Sequence, residues 1–118
     1  MDDRTDEEIF LDYRDNKNEK SFNQLYYRYN EEGRKYKKRF FFQLFYYRFT
    51  RDENDAMDLN AETWEQIIKN RLNFNPNKGS FFNWTYTIAL NKGRQYINKK
   101  RKERLEELVE DKITSKED

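Results

Sequence analysis

Residues 73–104, NFNPNKGSFFNWTYTIALNKGRQYINKKRKER, place aromatic rings and cations in succession on one segment. A loop with the only proline, Pro76, and a glycine, Gly79, leads into a helical pattern carrying Phe81, Phe82, Trp84 and Tyr86. Lys92, Arg94, Lys99, Lys100, Arg101 and Lys102 follow within five turns. Rings that stack on unpaired bases, followed by cations that hold the neighbouring phosphates, are the chemistry of single-stranded nucleic-acid binding. A charge run alone reads first as a solvated helix end; the loop and rings upstream turn the reading toward a base.

A second constellation precedes it. Asp55, Asp58, Glu62 and Glu65, with Lys69 beyond, are spaced to fall on one stripe of a helix. Like charges at that spacing repel by a few tenths of a kcal/mol per pair. The stripe reads either as a solvated outer face or as a docking surface for a basic helix of a partner. Met57, Ala61, Trp64, Ile67 and Ile68 share another arc, expected to face the core.

Catalytic and metal chemistry have little to work with. Histidine and cysteine are both absent, which removes the commonest general base, the zinc-thiolate sites and the disulfides. A hydrolase built on Asp58, Glu62 and a metal would lack a nucleophile or a histidine partner. No enzyme, metal or cofactor is therefore expected. No stretch approaches the length of a membrane span and the first residues are acidic, so a cytoplasmic protein is expected.

The elements that must position these groups are helical throughout, with no period-two alternation. Thr5 and Glu8 form a capping-box signature ahead of Ile9, Phe10 and Tyr13. Residues 15–20 read as a polar connection, and Ser21 as the cap of a helix with Phe22, Leu25, Tyr26 and Tyr29 on one face. Gly33 marks a break before the basic cluster RKYKKR and an aromatic run over residues 40–49. A turn at residues 51–54 precedes a helix over residues 55–71. Ser80 caps a last helix reaching about residue 110, with residues 111–118 an acidic tail or the start of a linker. On that last helix Asn91, Lys92, Gln95, Asn98, Lys99 and Lys102 form a polar face. Tyr86, Leu90, Gly93 and Ile97 form a packable one, with Gly93 admitting a close neighbour.

The sum is an all-α compact bundle of four to five helices in one domain over residues 1–110. Its 21 aromatic residues must supply much of the core, because 40% of the chain is charged. The net charge of +1 conceals alternating blocks: residues 28–51 carry +6, residues 52–65 carry −6 and residues 92–104 carry +6. Blocks of both signs imply partner surfaces of both kinds.

Four pieces in order, DAMDLNAETW (55–64), FNP (74–76), GSF (79–81) and WTYTIALN (84–91), resemble bacterial RNA polymerase sigma factors. The resemblance is nearest to region 2 of the compact extracytoplasmic-function type and extends over about residues 6–104. It implies a domain that binds core RNA polymerase and recognises and melts the promoter minus-ten element. Asp55, Asp58, Leu59, Glu62, Thr63 and Glu65 would dock on the clamp helices of the largest polymerase subunit. Asn75, Asn77, Lys78 and Ser80, with Phe82, Asn83, Trp84 and Tyr86, would receive a base flipped from the non-template strand. Asn91, Lys92, Arg94, Gln95, Lys99, Lys100 and Arg101 would hold the strand around it.

An anti-sigma factor is a further partner of the kind the family takes. Ala61 replaces the family's glutamine, and Phe82 and Leu90 replace its usual arginines. These departures favour an alternative: a sigma-like interaction domain that binds polymerase or an anti-sigma factor and has lost promoter recognition. Nothing after Arg104 has the makings of a helix-turn-helix domain. An excised domain, a split subunit or a remnant is expected.

Overall fold

The computed structural model describes residues 3–32 and 39–117. Five α-helices account for most of them: α1 (Asp6–Asn16), α2 (Glu19–Tyr27), α3 (Phe40–Phe45), α4 (Glu53–Lys69) and α5 (Phe81–Glu117). Helices α2 and α3 each run into a π-helical turn, Arg28–Glu32 and Tyr46–Thr50. The all-α architecture is as expected. The break at Gly33 and the cluster from Arg34 to Lys38 lie outside the described residues.

Helix α1 begins at the expected capping box. The Glu8 amide donates to Thr5 Oγ1 at 3.1 Å, and the Thr5 amide donates to the Glu8 carboxylate at 3.3 Å. The α1–α2 connection is shorter than residues 15–20. Lys17 turns the chain with φ 55°, and Asn18, rather than Ser21, caps α2 by accepting from the Lys20 amide at 3.2 Å. Ser21 lies inside α2, buried, and its hydroxyl donates to Asp12. Hydrogen bonds from Asn16, Ser21 and Arg4 hold the Asp12 carboxyl far below the usual carboxylate range. Beneath them, buried Asp6 accepts from Arg28 Nη1 at 2.7 Å and from the Tyr29 hydroxyl at 2.8 Å. A carboxylate with two such donors ties α1 to the π-turn after α2 without being left unpaired.

The core is aromatic, as the composition requires. Phe10, Tyr29, Phe41, Phe45 and Phe81 are almost wholly buried beside Ile9, Leu25 and Ile67. Phe10 meets Phe74, Phe81 and Trp84 with ring centroids 5.6, 4.8 and 5.7 Å apart. Tilted and edge-on contacts of this kind add to the area each ring removes from water.

Helix α4 starts earlier and ends earlier than residues 55–71, because Asp52 accepts from the Asp55 amide at 2.9 Å and fixes the N-terminus. Its buried arc is Ala56, Leu59, Thr63, Trp64 and Ile67. The expected arc had Met57, which is 51% exposed, and Ala61, also exposed. Thr63 makes the difference: its hydroxyl donates to the Leu59 carbonyl at 2.7 Å, so a polar residue sits in the core with its hydrogen bond made.

Helix α5 continues to Glu117 instead of ending near residue 110. It gives the molecule its long dimension, 67 Å against 26 and 22 Å. No described helix is long and apolar enough to cross a membrane.

Candidate nucleic-acid and polymerase interface

The loop before α5 is fixed from two sides. Arg14 of α1 donates to the Phe74 carbonyl at 2.7 Å. Glu7 of α1 accepts from the Phe81 amide at 3.3 Å, setting a carboxylate against the positive end of α5. Within the loop, Asn75 Oδ1 accepts from the Asn77 amide at 2.9 Å and its carbonyl from the Lys78 amide at 3.0 Å. This is the side-chain-stabilised turn that Asn-Pro-Asn favours. Ser80 Oγ accepts from the Asn83 amide at 3.1 Å, the cap expected at that position.

The fixed loop encloses a cavity of about 300 Å³ lined by Asn73, Phe74, Asn75, Lys78, Gly79, Ser80, Asn83, Trp84 and Thr87. Buried Phe74 and half-buried Trp84 supply the apolar surface, with centroids 5.3 Å apart. Amide, hydroxyl and ammonium groups from Asn75, Ser80, Asn83 and Lys78 surround it. Five residues expected to meet DNA thus come together: Asn75, Lys78, Ser80, Asn83 and Trp84.

Asn77 is exposed in the turn beside the cavity lining. Phe82 and Tyr86 lie apart from the cavity. They stack on each other at 5.7 Å and pack against Phe40 of α3, on another face of α5. Residues 82 and 86 share a helical face four residues apart, which residue 84 does not. Thr87 was missed, although its spacing from Asn83 and Trp84 puts it on their face.

The second site is a groove between α4 and α5, about 340 Å³. Asp55, Asp58, Leu59 and Glu62 form one wall; Lys92, Gln95, Tyr96, Lys99 and Lys100 form the other. Three of the four acids expected to meet polymerase, Asp55, Asp58 and Glu62, and four residues expected to meet DNA therefore share one groove. They do not occupy separate surfaces.

Tyr96, which the sequence reading passed over, links the walls. Its hydroxyl donates to Asp55 Oδ2 at 2.8 Å and lies 2.7 Å from Thr50 Oγ1. Burial pushes its phenol up from the ordinary tyrosine value, the Thr50 hydrogen bond opposes this, and the Asp55 carboxylate adds to it. Spacing held the clue, since Tyr96 is four residues from both Lys92 and Lys100.

Gly93 sets how closely α5 approaches. A Cβ there would lie 2.6 Å from the Phe49 ring, so only glycine fits without a shift. The expected close neighbour of Gly93 is this ring.

The remaining expected residues lie outside both cavities. Thr63 is wholly buried and cannot reach a partner on the α4 surface. Glu65 is exposed on α4 outside the groove lining. Asn91 lines a small depression with Gln66, Asn70, Ile88, Lys92 and Gln95, and accepts from Arg94 at 3.3 Å. Arg94 and Arg101 are exposed. Among the described residues no group of three or more Asp or Glu is arranged to hold a metal ion.

The family model for Sigma-70 region 2 matches residues 42–103, just over half of the chain, and the chain belongs to that family. No curated protein and no solved structure matches it. Membership gives a sigma-factor-like role in RNA polymerase binding and promoter recognition, and domains of this family are non-enzymatic transcription factors.

Proposed function

We propose that the chain is the region 2 module of a compact, extracytoplasmic-function-type sigma factor. It docks core polymerase through the α4 acids and receives one unstacked base of the non-template minus-ten strand in the loop cavity. The observation that carries this reading is the loop cavity, held open by Arg14 and Glu7 and walled by Phe74 and Trp84. A base entering it exchanges duplex stacking, on the order of 1–2 kcal/mol per step, for ring and amide contacts. Asp58 and Glu62, exposed along the groove, present negative charge to the clamp helices of the largest polymerase subunit. An anti-sigma factor covering the same acids would compete with polymerase.

Fluorescence anisotropy with a labelled non-template minus-ten oligonucleotide tests the DNA half. Binding is expected at low salt, weakening about tenfold in Lys78→Ala and less in Lys99→Ala or Arg101→Ala. Absence of binding at low salt would sink it.

One observation favours the second reading, an interaction domain without promoter recognition. Lys92, Lys99 and Lys100 face carboxylates across the groove rather than open solvent alone. A chain that captures core polymerase yet ignores the oligonucleotide would establish that reading.

A further inference from the structure

Buried Phe41, Leu44 and Phe45 account for the core face of α3. A ladder of rings and cations runs along its other side, with Phe42 and Tyr46 partly buried against the core and Tyr47 exposed. The Arg39 guanidinium lies 3.8 Å from the centroid of the Phe42 ring. Phe42 and Tyr46 are nearly parallel, 12° apart with centroids 6.0 Å apart. Tyr47 meets Tyr46 edge-on at 5.0 Å, and the Arg51 guanidinium lies 5.7 Å over Tyr47. A cavity of about 360 Å³ opens beside these rings, with Gln43 and Glu53 in its lining.

The backbone is unusual at the same place. Arg39 (φ 55°) and Arg51 (φ 62°) are two of three non-glycine residues with positive φ among the described residues. An L side chain is disfavoured there by about 1–2 kcal/mol. Between them the chain makes the π-helical turn Tyr46–Thr50, a form concentrated at functional sites. Tyr47 is left 61% exposed. Residues 39–51 hold three arginines and no acid.

We propose that this ladder is a second binding site, for single-stranded nucleic acid, distinct from the loop cavity. Bases stack along Phe42, Tyr46 and Tyr47, and Arg39 and Arg51 at its two ends hold the phosphates. A proline-rich peptide would also use an aromatic groove, but it has no need of a cation at each end.

The test uses the full chain carrying Lys78→Ala and Asn83→Ala, so that the loop cavity does not contribute. A fluorescein-labelled oligothymidylate 12-mer is expected to bind this background. Adding Tyr47→Ala should weaken binding about tenfold, since one stacked base contributes about 1–3 kcal/mol. Arg51→Asn, which keeps a residue tolerant of positive φ, should weaken it severalfold.

Photocrosslinking with 5-iodouracil in the oligonucleotide should mark Tyr46 or Tyr47. Tyr47 is exposed, so its variant keeps the parent melting temperature, and a loss of binding is not a loss of fold. Unchanged affinity in both variants, crosslinks confined to α5, or binding of a proline-rich peptide without binding of the oligonucleotide would each overturn the site. The minus-ten reading can fail without affecting this result, because the loop cavity is disabled throughout.

Discussion

The loop cavity and the α4–α5 groove are similar in size but are held open by different means. Rings and neutral hydrogen bonds form the first, and contacts from α1 fix its backbone. The second has carboxylates along one wall and ammonium groups along the other, separated by the spacing of two packed helices. A cavity of the first kind is preorganised for a flat, mostly neutral ligand. The groove is suited to a ligand that brings charge, because charged side chains stay hydrated until a partner displaces the water. Chemistry at the loop follows from shape, and chemistry at the groove follows from which charges are covered.

The strongest way to break this contrast is to reverse the acid wall. Asp58→Lys with Glu62→Lys should abolish recovery of core polymerase in a pull-down while leaving oligonucleotide binding intact or tighter. Unchanged recovery would remove α4 as the docking surface.

Gly93→Ala comes next. Forcing a methyl group onto the Phe49 ring costs about 1–3 kcal/mol, offset by up to about 1 kcal/mol of helix propensity. Urea unfolding should show a net loss of about 1 kcal/mol. Polymerase capture should fall while oligonucleotide binding stays near the parent value; equal loss of both would mean that the two sites are not independent.

The smallest effect is at Tyr96. Its folded-state pKa is raised above the ordinary tyrosine value of about 10. The stability from its neutral form is therefore fully present below pH 10 and is lost as pH rises through the folded value. Absorbance at 295 nm should show a late-titrating component that Tyr96→Phe removes, and the stability difference between the two proteins should shrink above pH 10.

Local chemistry was legible in the sequence. The Thr5–Glu8 box and the Ser80 cap depend only on residues three apart, and the aromatic core follows from composition. The loop cavity was partly legible, because Asn75, Ser80, Asn83 and Trp84 are close in sequence. What escaped depends on the relative rotation of two helices. Lys92, Gln95 and Lys99 face Asp58 and Glu62 because Gly93 seats on Phe49, a contact between residues far apart in the chain. The resemblance places Thr63 on the docking surface, yet it is buried and the α4 backbone satisfies its hydroxyl. The π-turns have no periodic signature, so the exposure of Tyr47 could not be anticipated from residues 40–49.

Helix α5 is one uninterrupted rod of 37 residues, about 55 Å long at 1.5 Å per residue. Its first turns wall the loop cavity, its middle walls the groove, and residues 103–113 run on exposed to solvent. The contact of Gly93 with the Phe49 ring and the Tyr96–Asp55 hydrogen bond anchor its middle, so the packed part fixes the direction in which the distal turns point. Inserting one residue after Lys102 would leave both cavities untouched while turning every later side chain by about 100°. The bearing of the distal turns relative to the loop cavity is therefore indexed by residue count.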